Sequence, residues 1–298
     1  MNFTGVSAFP ITPMNEKGVD QTGFERLITR LVDAGVDSIG VQGSTGNYPY
    51  LTRDERVRFA RVAVDAAQGT PVVASIGAFR TRDVLSLSDG LQNAGVSALL
   101  LPVVAYHGLR EEEVFTLYKT VSENVSVPVI LYDSPGISRF EFSDDLYARI
   151  CVLPRIGSVK IPSGWPTRQK AQERLQRLIK VLPATTVVGV SGDETAAAAL
   201  RAGAKIWYSE WGGIFPRKAK ELAEAALTGD DQKVAVVSQK FEPFWEMSRK
   251  YGGSLRPICA VAFELGLTDR HNLPLPMLEI SDLDRGILEK AISVHGMD

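Results

Sequence analysis

Cysteine is almost missing from this chain: Cys151 and Cys259 are the only two in 298 residues. Both lie in apolar surroundings, which excludes a disulfide framework and reads as two reduced core thiols in a cytoplasmic protein. Histidine is nearly as scarce, and His107, His271 and His295 lie far apart, none in a spacing such as H-E-x-x-H. No metal centre is expected. Charge of one sign is lacking as well. A net charge of -2 and a pI near 6.0 leave no basic footprint for nucleic acid, so the expected ligand is a small molecule. No run approaches the roughly 18 apolar residues of a membrane span, and the opening MNFTGVSAFPIT shows no basic segment followed by an apolar one. Neither a membrane partner nor a secretory leader is expected. Finally, no G-x-G-x-x-G follows the first strand-like run, which demotes a doubly wound dinucleotide fold to second choice.

What is present is regular alternation. With 45% hydrophobic and 23% charged residues the chain has the composition of a globular protein of one large domain plus an extension. The pattern predicts strands over Val6–Thr12, Ser38–Gly43, Pro71–Gly77, Ala98–Val103, Pro128–Asp133, Ile156–Pro162, Thr185–Gly192 and Ile206–Trp211. Helical patterns fall between and after them, at Thr22–Ala34, Arg53–Ala67, Arg82–Ala94, Glu111–Asn124, Ser143–Val152, Thr167–Val181, Glu194–Ala202 and Pro216–Leu227. Thr52-x-x-Glu55 has the spacing of a capping box. Three helix-Gly-strand junctions echo one another, at Ala34-Gly35, Ala94-Gly95 and Ala202-Gly203, which suggests a repeated βα unit. The expected fold is therefore α/β, a (β/α)8 TIM barrel over residues 1–229. A C-terminal helical extension over 230–298 follows, with helices at Asp231–Tyr251, Leu255–Leu265 and Asp282–Val294. Its apolar face of Phe241, Phe244, Trp245 and Met247 calls for a cover, from the barrel or from another subunit.

Within this frame one lysine stands out. In Ile156-Gly157-Ser158-Val159-Lys160-Ile161-Pro162, alternation sets Val159 and Ile161 on one face and Ser158 and Lys160 on the other. Both faces of a helix-covered parallel sheet are buried, so an ammonium there must be paired, reach a strand end, or lose its proton. Losing it yields a nucleophile, because a neutral amine attacks a ketone and forms a Schiff base. The plainer alternative is a lysine at the strand's exposed end.

Active sites of such barrels lie at the C-terminal ends of the strands. After strand two comes Gly43-Ser44-Thr45-Gly46, whose backbone N–H groups suit a carboxylate. Strand five ends in Tyr132-Asp133-Ser134-Pro135, where alternation turns the Tyr132 ring away from Val129 and Leu131 and a phenol can pass a proton to and from an amine or carbinolamine. Strand seven ends in Ser191-Gly192-Asp193-Glu194, in which Asp193 reads as a helix N-cap or, with Glu194, as a ligand for a hydroxylated substrate.

Together, Gly-Ser-Thr-Gly, Tyr-Asp-x-Pro, Ser-Val-Lys-x-x-Ser-Gly (Ser158 to Gly164) and Ser-Gly-Asp-Glu, in this order and spacing, resemble the dihydrodipicolinate synthase and N-acetylneuraminate lyase family of Schiff-base-forming pyruvate lyases. The resemblance runs from Gly5-Val6 and Thr12-Pro13 to the helical extension. It implies that Lys160 forms the imine with a 2-keto acid, that Tyr132 shuttles protons, that Ser44 belongs to the relay and that Thr45 meets the keto acid carboxylate. Tyr106 matches a tyrosine that completes the relay across a subunit interface, which implies a homo-oligomer, a tetramer built from two dimers. The expected substrate-binding set is Thr45, Gly46, Gly192, Asp193, Tyr208 and Ser209, with no cofactor and no metal.

Several positions depart from the family pattern. A dihydrodipicolinate synthase carries arginine two residues after the strand-five proline, where this chain has Ile137, with Arg139 two positions on. Asn47 replaces a glutamate, and Tyr208-Ser209-Glu210 stands where relatives carry small residues. The expected activity is that of a lyase, aldolase or dehydratase, acting on pyruvate or a 2-keto-3-deoxy sugar acid. The alternative is 4-hydroxy-tetrahydrodipicolinate synthase, which condenses pyruvate with aspartate semialdehyde, and the lesser alternative is a non-catalytic barrel that binds a keto acid.

Overall fold

The structure, a computed structural model, describes residues 2–162, 164–165 and 167–297. Ser163, the serine of the strand-six motif, lies outside the described residues. Short aliphatic runs form parallel strands β1 (Gly5–Ala8), β2 (Ser38–Val41), β3 (Val72–Ser75), β4 (Ala98–Pro102), β5 (Val129–Tyr132), β6 (Ile156–Pro162), β7 (Val187–Ser191) and β8 (Ile206–Ser209). Each pairs with its sequence neighbours, and β1 also pairs with β8, so the sheet closes into the expected barrel of eight strands. The register carries one rung around the mouth: Pro102 opposes Tyr132, and Tyr132 opposes Lys160.

Helices α1 (Gln21–Asp33), α2 (Arg53–Ala66), α3 (Thr81–Asn93), α4 (Glu111–Glu123), α5 (Asp144–Cys151), α6 (Arg168–Val181), α7 (Ala196–Arg201) and α8 (Pro216–Thr228) cover the outside. The outward residues of the strands, such as Val6, Ile39, Leu99 and Val159, join the helices in the main core, while Phe3, Phe9, Val73, Leu100, Ile130 and Tyr208 fill the barrel interior. Such alternation fits a barrel whose two faces are both buried. The Thr52–Glu55 capping box forms, with Thr52 N donating to Glu55 Oε2 at 2.8 Å. All three junction glycines, Gly35, Gly95 and Gly203, adopt positive φ.

Strand β6 spans its pattern, Ile156–Pro162, while the other seven strands are shorter than theirs. β1 stops at Ala8 rather than Thr12: Pro10 has no N–H to donate, and only Phe9 N continues the ladder, to Ser209 O at 2.8 Å. Several small elements were not expected. One is an antiparallel ribbon of Met14–Asn15 with Gly18–Val19, turned by Asn15 Oδ1 accepting from Lys17 N at 2.8 Å. Another is a single helical turn at Pro135–Ser138.

Beyond the barrel run α9 (Asp231–Lys250), α10 (Leu255–Glu264) and α11 (Asp282–His295). The aromatic face of α9 finds its cover on the barrel: the Phe244 ring centroid lies 4.9 Å from that of Phe215 and 5.2 Å from that of Trp211. These rings follow β8, so the extension is seated against the C-terminal end of that strand. Among the described residues no helix is long and apolar enough to cross a membrane.

Candidate active site

Lys160 faces into the barrel, as its alternation requires, and is 3% exposed. Its Nζ lies 4.2 Å from the ring centroid of Tyr132, 4.4 Å from that of Phe9 and 5.8 Å from that of Tyr208. Among the described residues no carboxylate pairs with it. Aromatic faces offer a cation about 0.5–2 kcal/mol each, far less than the cost of removing an ammonium from water. Glycines make this box possible. A Cβ on Gly40 would lie 2.2 Å from the Phe9 ring, and one on Gly189 would lie 2.5 Å from Tyr208 Cε2.

Tyr132 is also buried, and its hydroxyl lies 3.5 Å from Ser44 Oγ. The backbone around it is held from outside the barrel. Tyr118 of α4 donates to Leu101 O at 2.6 Å and accepts from Tyr132 N at 3.4 Å. Asp133 N donates to Lys160 O at 2.9 Å, while its Oδ2 accepts from Tyr147 of α5 at 2.6 Å. Burial pushes the Asp133 carboxyl up to about 6, against the opposing pull of the Tyr147 hydrogen bond. In the loop after β2, Thr45 is buried, and Gly46 turns so tightly that a Cβ would come within 2.7 Å of Gln42 backbone atoms.

Three of the expected substrate ligands have other employment. Asp193 neither caps its own helix nor presents a free carboxylate. Its Oδ1 accepts from Trp207 Nε1 (3.0 Å) and Glu210 N (3.2 Å), and its Oδ2 from Ser209 Oγ (3.1 Å) and Trp211 N (2.7 Å). These donors belong to β8 and the turn after it, so Asp193 ties strand seven to strand eight, and α7 begins only at Ala196. Burial, and then the neighbouring Glu210 charge, push Asp193 up to about 7. Ser209 lies on the outward face of β8, spent between Asp193 and Gly212 N. Tyr208 does face inward, but its hydroxyl hydrogen-bonds Ser158 Oγ at 2.7 Å, one layer below the lysine, so the ring is floor rather than ligand.

Tyr106 is 83% exposed, its ring meeting His107 edge-on at 5.1 Å, and within one chain it is not brought to the lysine. Gly192 lines a cavity of about 350 Å3 between the ends of β7 and β8 and helix α9, together with Glu194, Glu210 and Arg249. Glu194 pairs with Arg249 at 2.8 Å, and Glu210 Oε2 is held by Ser254. Sequence reasoning missed Phe9, Tyr118 and Tyr147. Only Phe9 left a signal, in the bare glycines of the neighbouring strand. Among the described residues no cluster of His, Cys, Asp or Glu could hold a metal.

A closed (β/α)8 barrel with a buried lysine and a tyrosine on one rung of its C-terminal mouth has the layout of an enzyme, and the chain's relatives say of which class. The model of the dihydrodipicolinate synthetase family matches residues 2–295, and the chain belongs to that family, a lyase. It is 30% identical over 296 residues to a 4-hydroxy-tetrahydrodipicolinate synthase of Methylibium petroleiphilum, covering 93% of this chain and 96% of that one. Among solved structures, a dihydrodipicolinate synthase of Agrobacterium tumefaciens superposes with a TM-score of 0.94 at 37% identity, covering 98% of both chains. Another, from Acinetobacter baumannii and complexed with pyruvate, gives 0.89 at 25% identity over the full length of both.

One prediction concerns the strand tie. Asp193→Asn replaces one acceptor oxygen by an NH2 that faces two N–H or O–H donors. It should cost about 1–3 kcal/mol, read as a lower midpoint in urea unfolding. An unchanged midpoint would mean that the four hydrogen bonds do not support the fold.

Proposed function

We propose that the chain is a cofactor-free Schiff-base lyase whose nucleophile is Lys160 and whose substrate is a 2-keto-3-deoxy sugar acid or the pyruvate derived from it. The observation that carries this reading is the buried lysine amine among aromatic faces, with no carboxylate among the described residues to hold it as an ammonium. The neutral amine attacks the C2 carbonyl and gives a carbinolamine. Tyr132 donates its proton to the carbinolamine hydroxyl, which leaves as water and yields the protonated imine. With pyruvate, the Tyr132 phenolate then takes a C3 proton and the enamine adds through C3 to an aldehyde carbon; in the reverse direction the phenolate takes the C4 hydroxyl proton, the C3–C4 bond breaks and the aldehyde leaves. In a 3-deoxy acid the same electron sink also permits loss of a hydroxyl. The substrate carboxylate is assigned to the backbone N–H groups of the Thr45–Gly46 loop, and a keto acid as ligand is in keeping with the Acinetobacter baumannii relative, which was solved in complex with pyruvate.

The names of the relatives favour a second reading, condensation of pyruvate with aspartate semialdehyde. Against it stands Ile137, which is 62% exposed and offers no charge where that reaction's second carboxylate would need one. The cavity beside Gly192 holds two carboxylates, Glu194 paired with Arg249 and Glu210 held by Ser254, whose remaining lone pairs can accept from hydroxyl groups.

A panel of 2-keto-3-deoxy sugar acids separates the two. At least one should be consumed by the wild type and by no Lys160→Arg sample, because a guanidinium stays protonated and forms no imine. Consumption of aspartate semialdehyde with pyruvate, and of no sugar acid, would establish the second reading.

Assembly is part of the proposal: a closed cytoplasmic homo-oligomer, a dimer of dimers, in which the exposed Tyr106 reaches the neighbour's Ser44 and Tyr132. Inactive Tyr106→Phe chains co-assembled with inactive Lys160→Ala chains should regain part of the activity, since one site then has both native groups. No recovery in demonstrably mixed oligomers would mean that each chain builds its own relay.

A further inference from the structure

A second tyrosine approaches Tyr132 within the same chain. Asn47 holds the left-handed backbone region (φ 57°, ψ 28°), which asparagine tolerates better than most residues, and so turns Tyr48 inward, where it is 7% exposed. The ring fills the space left by the missing side chain of Gly77. A Cβ at Gly77 would lie 2.9 Å from Tyr48 Cε2, 3.2 Å from Tyr48 Cζ and 2.6 Å from Pro102 Cγ. Pro102 is the register partner of Tyr132, which is in turn the partner of Lys160. The hydroxyl-bearing end of Tyr48 therefore sits against Gly77, beside Pro102 of the strand that pairs with Tyr132, near enough for Tyr132 to act on the Tyr48 phenol electrostatically. Among the described residues no hydrogen bond engages that hydroxyl.

Behind the ring lies Arg56, 5% exposed, its guanidinium carbon 5.1 Å from the Tyr48 centroid. Its fork is fixed by Gly77 O at 2.8 Å and Ser75 O at 2.7 Å, and among the described residues no carboxylate neutralises it. Burial lowers Arg56 to about 10, so it remains a cation at neutral pH. Burial raises the Tyr48 phenol, Arg56 opposes that rise and Tyr132 adds to it, so Tyr48 stays protonated and able to donate.

We infer that Tyr48, backed by the buried Arg56 cation, is a positioning residue for Tyr132, donating a hydrogen bond to the phenolate that Tyr132 becomes once it has given up its proton. The inference rests on the Schiff-base reading. In that step the Tyr132 O–H bond breaks, its proton leaves with the carbinolamine hydroxyl as water, and the charge left on Tyr132 lasts until a C3 proton is taken. A donor aimed at that charge stabilises the phenolate and the transition state that leads to it, and does little for the ground state in which Tyr132 is still protonated.

The test compares the rate at which pyruvate becomes a borohydride-reducible adduct in the wild type, in Tyr48→Phe, in Tyr132→Phe and in the double variant. Tyr48→Phe keeps the ring and its contact with Arg56, so its unfolding midpoint and its KM for pyruvate should stay near those of the wild type. Its rate of adduct formation should fall about ten- to hundredfold, as for a lost hydrogen bond to a charged group. The double variant should be no slower than Tyr132→Phe, because Tyr48 acts only through that hydroxyl. A wild-type rate in Tyr48→Phe, or a fully multiplicative loss in the double variant, would overturn the inference and leave the Schiff base intact. Absence of any adduct in the wild type would overturn both.

Discussion

An amine buried without a counter-charge is the constraint on which the arrangement of this barrel depends. A lysine on the inward face of a strand needs a carboxylate, a route to water, or a site where the neutral form is useful. Lys160 has three ring faces around it and, among the described residues, no acid paired with it. The glycines at 40 and 189 are required because their neighbours' rings, Phe9 and Tyr208, occupy the space of their side chains. The Tyr208 hydroxyl turns down to Ser158, so the floor is closed by a satisfied pair rather than by an acid that would hold the ammonium in place.

The rest of the molecule fixes that box from outside. Tyr118 and Tyr147, on α4 and α5, reach in to grip the backbone of Tyr132 and the side chain of Asp133. Asp193 ties the end of β7 to β8 through four donors, and the rings that follow β8 carry the helical extension. Catalytic strand ends are thus buttressed by side chains whose own polar groups are spent within the protein. Such spending makes them poor ligands and good supports, a distinction drawn from hydrogen-bond partners rather than from residue type.

How far the sequence disclosed this depended on range. Lys160 was legible because alternation is local: Val159 and Ile161 on one side force Ser158 and Lys160 to the other. The repeated Ala-Gly junctions and the Thr52–Glu55 box were legible for the same reason, since each is complete within a few residues. The role of Asp193 was not, because its donors come from Trp207 to Trp211 on another strand, and nothing next to it in sequence announces them. Tyr48 and Arg56 escaped similarly. Their meaning depends on Gly77 and Pro102, which only the closed barrel brings beside them. The end of β1 was misjudged for a simpler reason: the apolar pattern continues past the point where Pro10 interrupts the ladder.

The account stands on Lys160 being the nucleophile, and the most direct measurement is the mass of the protein after incubation with pyruvate and borohydride, followed by peptide mapping. It predicts one reduced pyruvate adduct per chain, on Lys160 and on no other lysine. An unmodified mass, or a label carried by a different lysine, would contradict it.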